Sequence, residues 1–219
     1  TATSCLPRRC WNWKHPVPMT ERPYAEYAAR NTAPVLEILQ REFRTASRVL
    51  EIGSGTGQHA VAFAAAMQHL HWQTSDLDEN HAGIRAWIDS AQIDNVSQPL
   101  SMDVRDATVE TGCYDAAYSS NTAHIMSLDA VEKMFVLVSR ALRSGGVFCL
   151  YGPFRQGGAF NTQSNADFDT NLRQRDPLMG IRDIEALDEF AAAVGLRRVR
   201  IYAVPSNNNV AIWEKDMES

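Results

Sequence analysis

Hydrophobic and polar positions divide the chain into two kinds of segment that alternate. Short apolar runs rich in β-branched residues predict buried strands, and segments with apolar residues three and four positions apart predict helices with one apolar face. Strands are predicted over 48–52, 71–75, 97–104, 114–119, 147–151, 197–204 and 210–214. Helices are predicted from a cap at Thr32, with Pro34 in the first turn, to about 43, and over 58–68, 80–91, 129–142 and 183–194; Gly145 and Gly146 are predicted to stop the fourth.

This alternation predicts a doubly wound α/β fold with a seven-stranded, mostly parallel sheet and helices on both faces. Pro99 removes a ladder donor, so the third strand is predicted to lie at an edge of the sheet. The last two strands, joined by 205–209, are predicted to form an antiparallel hairpin. In such a sheet, ligands bind at the carboxyl ends of the strands where the strand order reverses.

One long segment, 153–180, has no apolar periodicity and is rich in Gly, Asn, Asp, Gln and Arg. A connection of this length inside a domain is usually functional or mobile, so we expect a lid-like insert. Residues 1–18 precede Met19 and carry Pro and basic residues but no apolar segment. We expect 1–18 to be a disordered or extraneous extension and 19–219 to form a single domain.

Composition and charge narrow the function classes. Of 219 residues, 45% are hydrophobic and 21% are charged, as in ordinary globular proteins. The formal net charge of −5 weighs against a protein that binds nucleic-acid phosphates. The four cysteines lack the spacing of a metal site, so no metal is expected. Apolar runs such as 60–67 fall far short of the roughly 18 residues that suggest a membrane span, and we expect a cytoplasmic protein.

A glycine-rich loop joins the first strand to its helix. Gly53, Gly55 and Gly57 permit positive φ angles and let a ligand approach bare backbone, while the helix amino terminus offers unpaired N–H groups. A dinucleotide fingerprint reads G-x-G-x-x-G, whereas here the third glycine comes one residue early. This spacing weighs against a nicotinamide dehydrogenase.

The stretch 49–58, Val-Leu-Glu-Ile-Gly-Ser-Gly-Thr-Gly-Gln, resembles the first motif of the Rossmann-like (class I) methyltransferases that use S-adenosylmethionine and release S-adenosylhomocysteine. The resemblance implies the strand order 3-2-1-4-5-7-6. It also implies that Asp76 binds the ribose hydroxyls of the cofactor, with Asp78 as the rival, and that Asp103 holds the adenine amino group. The other cofactor-binding candidates are Arg30, Asn31, Glu51, Gly53, Ser54, Gly55, Gly57, Leu77, Val104 and Asn121.

A narrower resemblance covers nearly the whole chain from about Arg22. The stretches 29–36, 72–76, 121–125, 150–154 and 164–183 resemble a small methyltransferase-like family long classed as a domain of unknown function. The last stretch is the most distinctive. The resemblance implies a fold and a cofactor but no particular substrate.

The chemistry at the methyl acceptor depends on side chains near the fourth and fifth strands. His124 follows the fourth strand and has a near-neutral pKa in its ordinary state, so it is a candidate base, with a wall residue as the alternative. Tyr151 is the second catalytic candidate, and core packing is its alternative. Candidate substrate or lid residues are Tyr118, Phe154, Asn165, Asp169, Arg173 and Arg175.

The insert and its flanks, 155–183, hold four Arg and four Asp. This balance suits a polar or zwitterionic small molecule, and an internally paired ion network is the equal alternative. We therefore expect an S-adenosylmethionine-dependent methyltransferase that acts on a small polar molecule. The alternatives are a methyltransferase of protein or RNA, and a non-catalytic partner subunit that binds the cofactor. The sequence leaves the oligomeric state open.

Overall fold

The computed structural model describes residues 22–217. Along this range the elements are α1 (Glu26–Glu42), β1 (Arg48–Ile52), α2 (Gln58–Ala66), β2 (His71–Asp76), α3 (His81–Ala91), β3 (Val96–Ser101), β4 (Tyr114–Ser120), α4 (Leu128–Ala141), β5 (Leu142–Gly152), β6 (Phe154–Arg155), α5 (Gln163–Arg175), β7 (Arg182–Asp183), α6 (Ile184–Ala193), β8 (Leu196–Val204) and β9 (Asn208–Lys215). A short 3-10 helix, Asp78–Asn80, precedes α3. The predicted extension 1–18 lies outside the described residues, so the domain boundary stays a prediction.

Seven strands form one sheet in the order β3-β2-β1-β4-β5-β9-β8. Neighbouring strands are parallel except β9, which is antiparallel to both β5 and β8. Counted by these seven strands alone, the order is 3-2-1-4-5-7-6, so the predicted fold class is confirmed. The strand that contains Pro99 lies at an edge, as expected. Strands β6 and β7 pair with each other in a separate parallel ladder.

Helices cover both faces of the sheet. Alternate residues of each central strand point to opposite faces, so both faces present apolar side chains for helices to pack against. On β5, Cys149 packs into the cluster that holds Phe43, directly after α1, and Phe63 of α2. Its neighbour Phe148 packs into the second cluster, with Phe135 of α4. The continuous apolar run of the central strands is the pattern that this two-sided burial requires.

The first helix begins earlier than predicted. It starts at Glu26, so Pro34 lies inside it and not in the first turn. Thr32 is not a cap, because its hydroxyl donates to the carbonyl of Ala28 at 2.8 Å. Burial of an apolar face that includes Leu39 and Phe43 outweighs the backbone N–H that Pro34 lacks.

The two glycines that were predicted to end the fourth helix lie instead in the strand that follows it. The helix ends at Ala141, and Gly145 and Gly146 lie within β5. The register of β5 against β4 shifts between Tyr114 and Ala116, so the ladder is irregular there. Gly145 lies in the irregular part with a φ of 71°, a conformation that favours glycine.

The insert has regular structure that the sequence pattern did not predict. Helix α5 fills 13 residues of it, and the hydroxyl of Thr162 caps that helix by accepting from the backbone N–H of Asn165. Its buried residues are Asn165, Asp169 and Leu172. A packing face that is two-thirds polar shows no apolar period, which is why the helix was missed.

No helix within residues 22–217 combines the length and apolar character that crossing a membrane demands. The expected cytoplasmic location stays a prediction.

Candidate functional site

A cavity of about 580 Å³ opens at the carboxyl ends of β1, β2 and β4. The strand order reverses between β1 and β4, so the cavity lies at the switch point where doubly wound sheets bind ligands. Its lining comes mainly from 51–56, 76–77, 79–80, 102–105, 120–122 and 125–127. The first helix contributes Ala28 and the insert contributes Asp176 and Leu178.

The three loop glycines have different tasks, although each has a positive φ. A Cβ on Gly53 would lie 2.6 Å from the side chain of Thr122, and one on Gly57 would lie 2.8 Å from the Cα of Ile84. Both positions need glycine for close packing, and Gly57 does not border the cavity. A Cβ on Gly55 would meet no protein atom within 4 Å. Gly55 therefore presents bare backbone to the cavity.

Asp76 ends β2 and holds the glycine loop. Its Oδ2 accepts from the backbone N–H of Gly55 at 2.6 Å. Its Oδ1 accepts from the backbone N–H of Leu77 and the side-chain amide of Asn80, both at 2.7 Å. Asp76 and Leu77 border the cavity, whereas the rival Asp78 does not and has a side chain 80% exposed.

Asp103 borders the cavity beyond β3, next to Val104. Arg105 donates to it through Nε at 2.8 Å and again through Nη2. These hydrogen bonds lower the pKa of Asp103 to about 2, so the carboxylate is anionic at neutral pH. Arg105 also borders the cavity, although it was not among the residues predicted from the sequence.

Glu51 lies at the back of the cavity, buried on β1. Its Oε2 accepts from the hydroxyl of Ser54 at 2.7 Å and from the indole N–H of Trp72 at 3.1 Å. Burial raises the pKa of Glu51 to about 7, against the smaller lowering effect of these two hydrogen bonds. The carboxyl group therefore keeps its proton to a much higher pH than an exposed glutamate does.

The loop after β4 supplies another wall. Asn121 borders the cavity with a φ of 58°, and its backbone N–H donates to the carbonyl of Tyr151 at 2.9 Å. Thr122 borders it too, and its hydroxyl is 2.7 Å from that of Ser119. Thr122 was not predicted, although its position beside Asn121 was a usable signal.

Neither predicted catalytic side chain borders the cavity. The ring of His124 is buried edge-on against Phe168, with ring centroids 5.3 Å apart. Burial, with the charges of Arg182 and Arg175, lowers the pKa of His124 to about 4, so the ring is neutral at pH 7. Tyr151 is in the core, and its hydroxyl accepts from the side-chain amide of Asn208 at 2.8 Å.

Two aromatic candidates for substrate binding also belong to the core. Tyr118 packs edge-on against Phe63 and Trp72, and its buried hydroxyl has no hydrogen-bond partner among the described residues. Burial raises the pKa of Tyr118 well above its usual value. Phe154 is buried in the cluster that contains Ile184. Neither borders the cavity.

The polar candidates of the insert bind one another and the neighbouring hairpin. Arg173 donates to Asp169 at 2.7 Å, and Asp169 also accepts from the backbone N–H of Ile181 at 2.7 Å. Asn165 donates to the carbonyl of Asn207 at 3.1 Å. Arg175 is exposed and does not border the cavity. For Asp169 and Arg173 this pairing matches the alternative of an internal ion network, whereas Asp176 of the same insert borders the cavity.

Two candidates on α1 lie away from the cavity. Arg30 has a side chain 69% exposed, 3.8 Å from Glu26, and Asn31 is buried without bordering the cavity. Ala28 takes their place in the lining, with His59, whose Nε2 is 2.9 Å from the carbonyl of Ala28. His59 lies in α2, two residues after the last loop glycine, and nothing in the sequence pattern distinguished Ala28.

Chemically, this cavity presents bare backbone at Gly55 and carboxylates at Asp76 and Asp103. Carboxylate oxygens accept hydrogen bonds from hydroxyl and amino groups. The apolar side chains of Leu77, Val104 and Met102 lie in the same lining. The arrangement suits a ligand that combines a diol, an amino group and an apolar ring.

Several solved structures with this fold are described as methyltransferases. An O-methyltransferase family protein from Burkholderia thailandensis matches 89% of this chain and 59% of its own, with 14% identity and a TM-score of 0.77. The match to the mitomycin 7-O-methyltransferase MmcR covers 86% of this chain and 55% of MmcR, with 14% identity and a TM-score of 0.74. The match to human N-acetylserotonin methyltransferase, solved in complex with S-adenosylmethionine, covers 88% of this chain and 53% of the human protein. The identity is 11% and the TM-score is 0.73.

The chain spans little more than half of each of these proteins, and at such identities the likeness is one of fold. A family model described as "Protein of unknown function (DUF938)" matches residues 22–215. The expected resemblance to a family of unknown function is thereby confirmed, and the chain belongs to this family.

Proposed function

We propose that this protein transfers a methyl group from S-adenosylmethionine to a small molecule. The observation that carries the proposal is the convergence of Gly55, Asp76 and Asp103 on one cavity at the switch point of the sheet. The likeness in fold to proteins described as O-methyltransferases supports it, as does the presence of S-adenosylmethionine in the human relative.

The residues present fit the cofactor. Asp76 has two oxygens that suit the vicinal diol of ribose, and Asp103 is an anionic acceptor for an adenine amino group. Leu77 and Val104 give the adenine ring apolar contacts. Gly55 leaves room for the amino-acid part to approach the backbone. An anionic lining also favours the positive charge on the sulfonium.

When bound, the cofactor supplies a methyl carbon that forms a bond to the acceptor's lone pair as its bond to sulfur breaks, with that electron pair kept by sulfur in S-adenosylhomocysteine. The chain contributes position and exclusion of water. Because His124 lies outside the cavity, the proton lost by an O–H or N–H acceptor passes to water or to a titratable group of the lining other than His124.

Calorimetry with S-adenosylmethionine, S-adenosylhomocysteine and NAD tests the proposal. We expect both sulfur compounds to bind and NAD not to bind. Absence of binding by either sulfur compound would refute the proposed function. Incubation with S-adenosylmethionine and a small-molecule metabolite extract, followed by mass spectrometry, then identifies the acceptor. Methylation of RNA or protein fractions alone would favour the macromolecular alternative, and binding without any turnover would favour the partner subunit.

A further inference from the structure

Large aliphatic side chains border the cavity while remaining open to solvent. Ile125 is 47% exposed and Leu178 is 63% exposed. Folded proteins leave single apolar side chains exposed without consequence, but exposed apolar groups gathered around one cavity mark a binding surface. Leu77 is also exposed, but it adjoins Asp76 and belongs to the part of the cavity assigned to the cofactor.

Ile125, Met126 and Leu178 border the same cavity and are here called the apolar wall. Arg182 holds their two backbone segments together, because its Nη2 donates both to the carbonyl of Met126 and, at 2.7 Å, to that of Leu178. A single nitrogen therefore joins the loop after β4 to the insert. Its Nε donates to the carbonyl of Ala123 at 3.0 Å, which fixes the same loop at a second point.

The wall is held in place by the contacts of the insert. The backbone N–H of Gly180 donates to the carbonyl of His124 at 2.9 Å, and that of Ile181 donates to Asp169 at 2.7 Å. The carboxylate of Asp176 accepts from the backbone N–H of Leu178 at 2.9 Å. These bonds fix the backbone on both sides of Leu178, so the wall is formed before any ligand binds.

The charge of the lining limits what the wall can receive. Asp76, Glu79, Asp103 and Asp176 border the cavity. Among residues 22–217, Arg105 is the one Lys or Arg that borders it, and Asp103 already binds its guanidinium. An anionic ligand would meet uncompensated negative charge there.

We infer that the methyl acceptor has an apolar body that binds against the apolar wall and carries no negative charge. This inference rests on the proposed function and adds to it a class of substrate. Burial of the exposed aliphatic surface by the ligand supplies the driving force, as in most small-molecule sites. The sequence had suggested a polar acceptor through the insert's four Arg and four Asp, of which the structure pairs Arg155 with Asp183 and Arg173 with Asp169.

The test uses 2-naphthol, an uncharged bicyclic phenol at pH 7, and its anionic counterpart 2-naphthoate as probes. Calorimetry is carried out on the whole chain saturated with S-adenosylhomocysteine. The variants are Leu178→Ser and Ile125→Ser. The matched control is Leu100→Ser, because Leu100 is an exposed leucine on the edge strand β3 and does not border the cavity.

We expect 2-naphthol to bind more tightly than 2-naphthoate, and each wall variant to weaken 2-naphthol binding about fivefold or more. The affinity for S-adenosylhomocysteine should stay within about twofold in all three variants. Failure of 2-naphthol to bind, tighter binding of 2-naphthoate, or an equal loss in Leu100→Ser would overturn the inference and leave the proposed function standing. If the wall variants weaken S-adenosylhomocysteine instead, the wall belongs to the cofactor site and the inference is wrong. Lack of S-adenosylhomocysteine binding by the unmodified protein would overturn both.

Discussion

The carboxylate of Asp76 accepts the backbone N–H of Gly55 at 2.6 Å, which ties the end of β2 to the glycine loop after β1. The second oxygen of Asp76 is held by Leu77 and Asn80. Both oxygens are thus oriented by the chain itself, with lone pairs remaining for a ligand. The proposed ribose-binding group is preorganised, because the bonds that orient it are made within the folded protein.

Asp76→Asn tests this arrangement. The amide keeps the shape of the side chain but loses the charge and one acceptor oxygen, so we expect the affinity for S-adenosylhomocysteine to fall by about 1–3 kcal/mol. Calorimetry measures the change, and Asp78→Asn is the matched control because its exposed side chain lies outside the lining. Unchanged affinity in Asp76→Asn with a loss in Asp78→Asn would move the ribose role to Asp78.

Alanine at two glycines of the same loop should have separable effects. Gly55 has a φ of 59° with open space around it, so Gly55→Ala should lower the free energy of unfolding by about 1–2 kcal/mol. Gly57→Ala adds a clash with the backbone of Ile84, so its loss should reach about 2–5 kcal/mol. Urea denaturation measures both. Calorimetry should show the larger loss of cofactor affinity, relative to stability, in Gly55→Ala. Equal destabilisation by the two variants would contradict this division of tasks.

The sequence predicted the edge of the sheet where the cavity lies, because its candidates follow strand ends. Gly55, Asp103 and Asn121 come after β1, β3 and β4, and Asp76 is the last residue of β2. Parallel strands bring their carboxyl ends to one edge. The placement of these residues therefore followed from the order of elements alone. Their individual roles rest on the proposed function.

The side chains near β4 and β5 were harder to place, because their direction depends on packing between distant segments. Tyr151 lies on a strand, and the sequence does not tell which face of the sheet it joins. His124 follows a strand end, but its ring turns toward Phe168 of the insert, whose helix the apolar pattern did not reveal. That helix packs through polar contacts such as the one from Asn165 to the carbonyl of Asn207, more than 40 positions along the chain. A contact between such distant residues leaves no local pattern in the sequence.

Arg182→Met should destabilise the protein through the carbonyls that it leaves unpaired. The guanidinium donates hydrogen bonds to the backbone carbonyls of Ala123, Met126 and Leu178. We therefore expect the variant to lose about 1–3 kcal/mol in the free energy of unfolding. The free energy of unfolding of Arg182→Lys should lie between those of the unmodified protein and Arg182→Met, because an ammonium group cannot reproduce the planar arrangement of guanidinium donors. Urea denaturation gives the values, and Arg175→Met is the matched control, since that arginine is exposed. An unfolding free energy equal to that of the unmodified protein would show that these bonds add nothing.

His124 should make stability rise with pH. Its pKa is about 4 in the folded protein and 6.5 ordinarily, so between these values the unfolded chain binds more protons. The free energy of unfolding therefore increases as pH rises through this range, and this increase is lost again as pH falls. The contribution is at most about 3 kcal/mol. His124→Gln should remove it, as measured by urea denaturation from pH 4 to 7, and an unaltered slope would contradict the assignment.

Glu51 should act in the opposite direction over nearly the same range. Its pKa is about 7 in the folded protein and 4.5 ordinarily, so the folded chain binds more protons in between. The free energy of unfolding falls as pH rises from 4.5 to 7, again by at most about 3 kcal/mol. Because the two effects oppose each other, the unmodified protein should show a shallow profile. Glu51→Gln should expose the rising slope of His124, and His124→Gln the falling slope of Glu51. Parallel profiles for the two variants would refute both assignments.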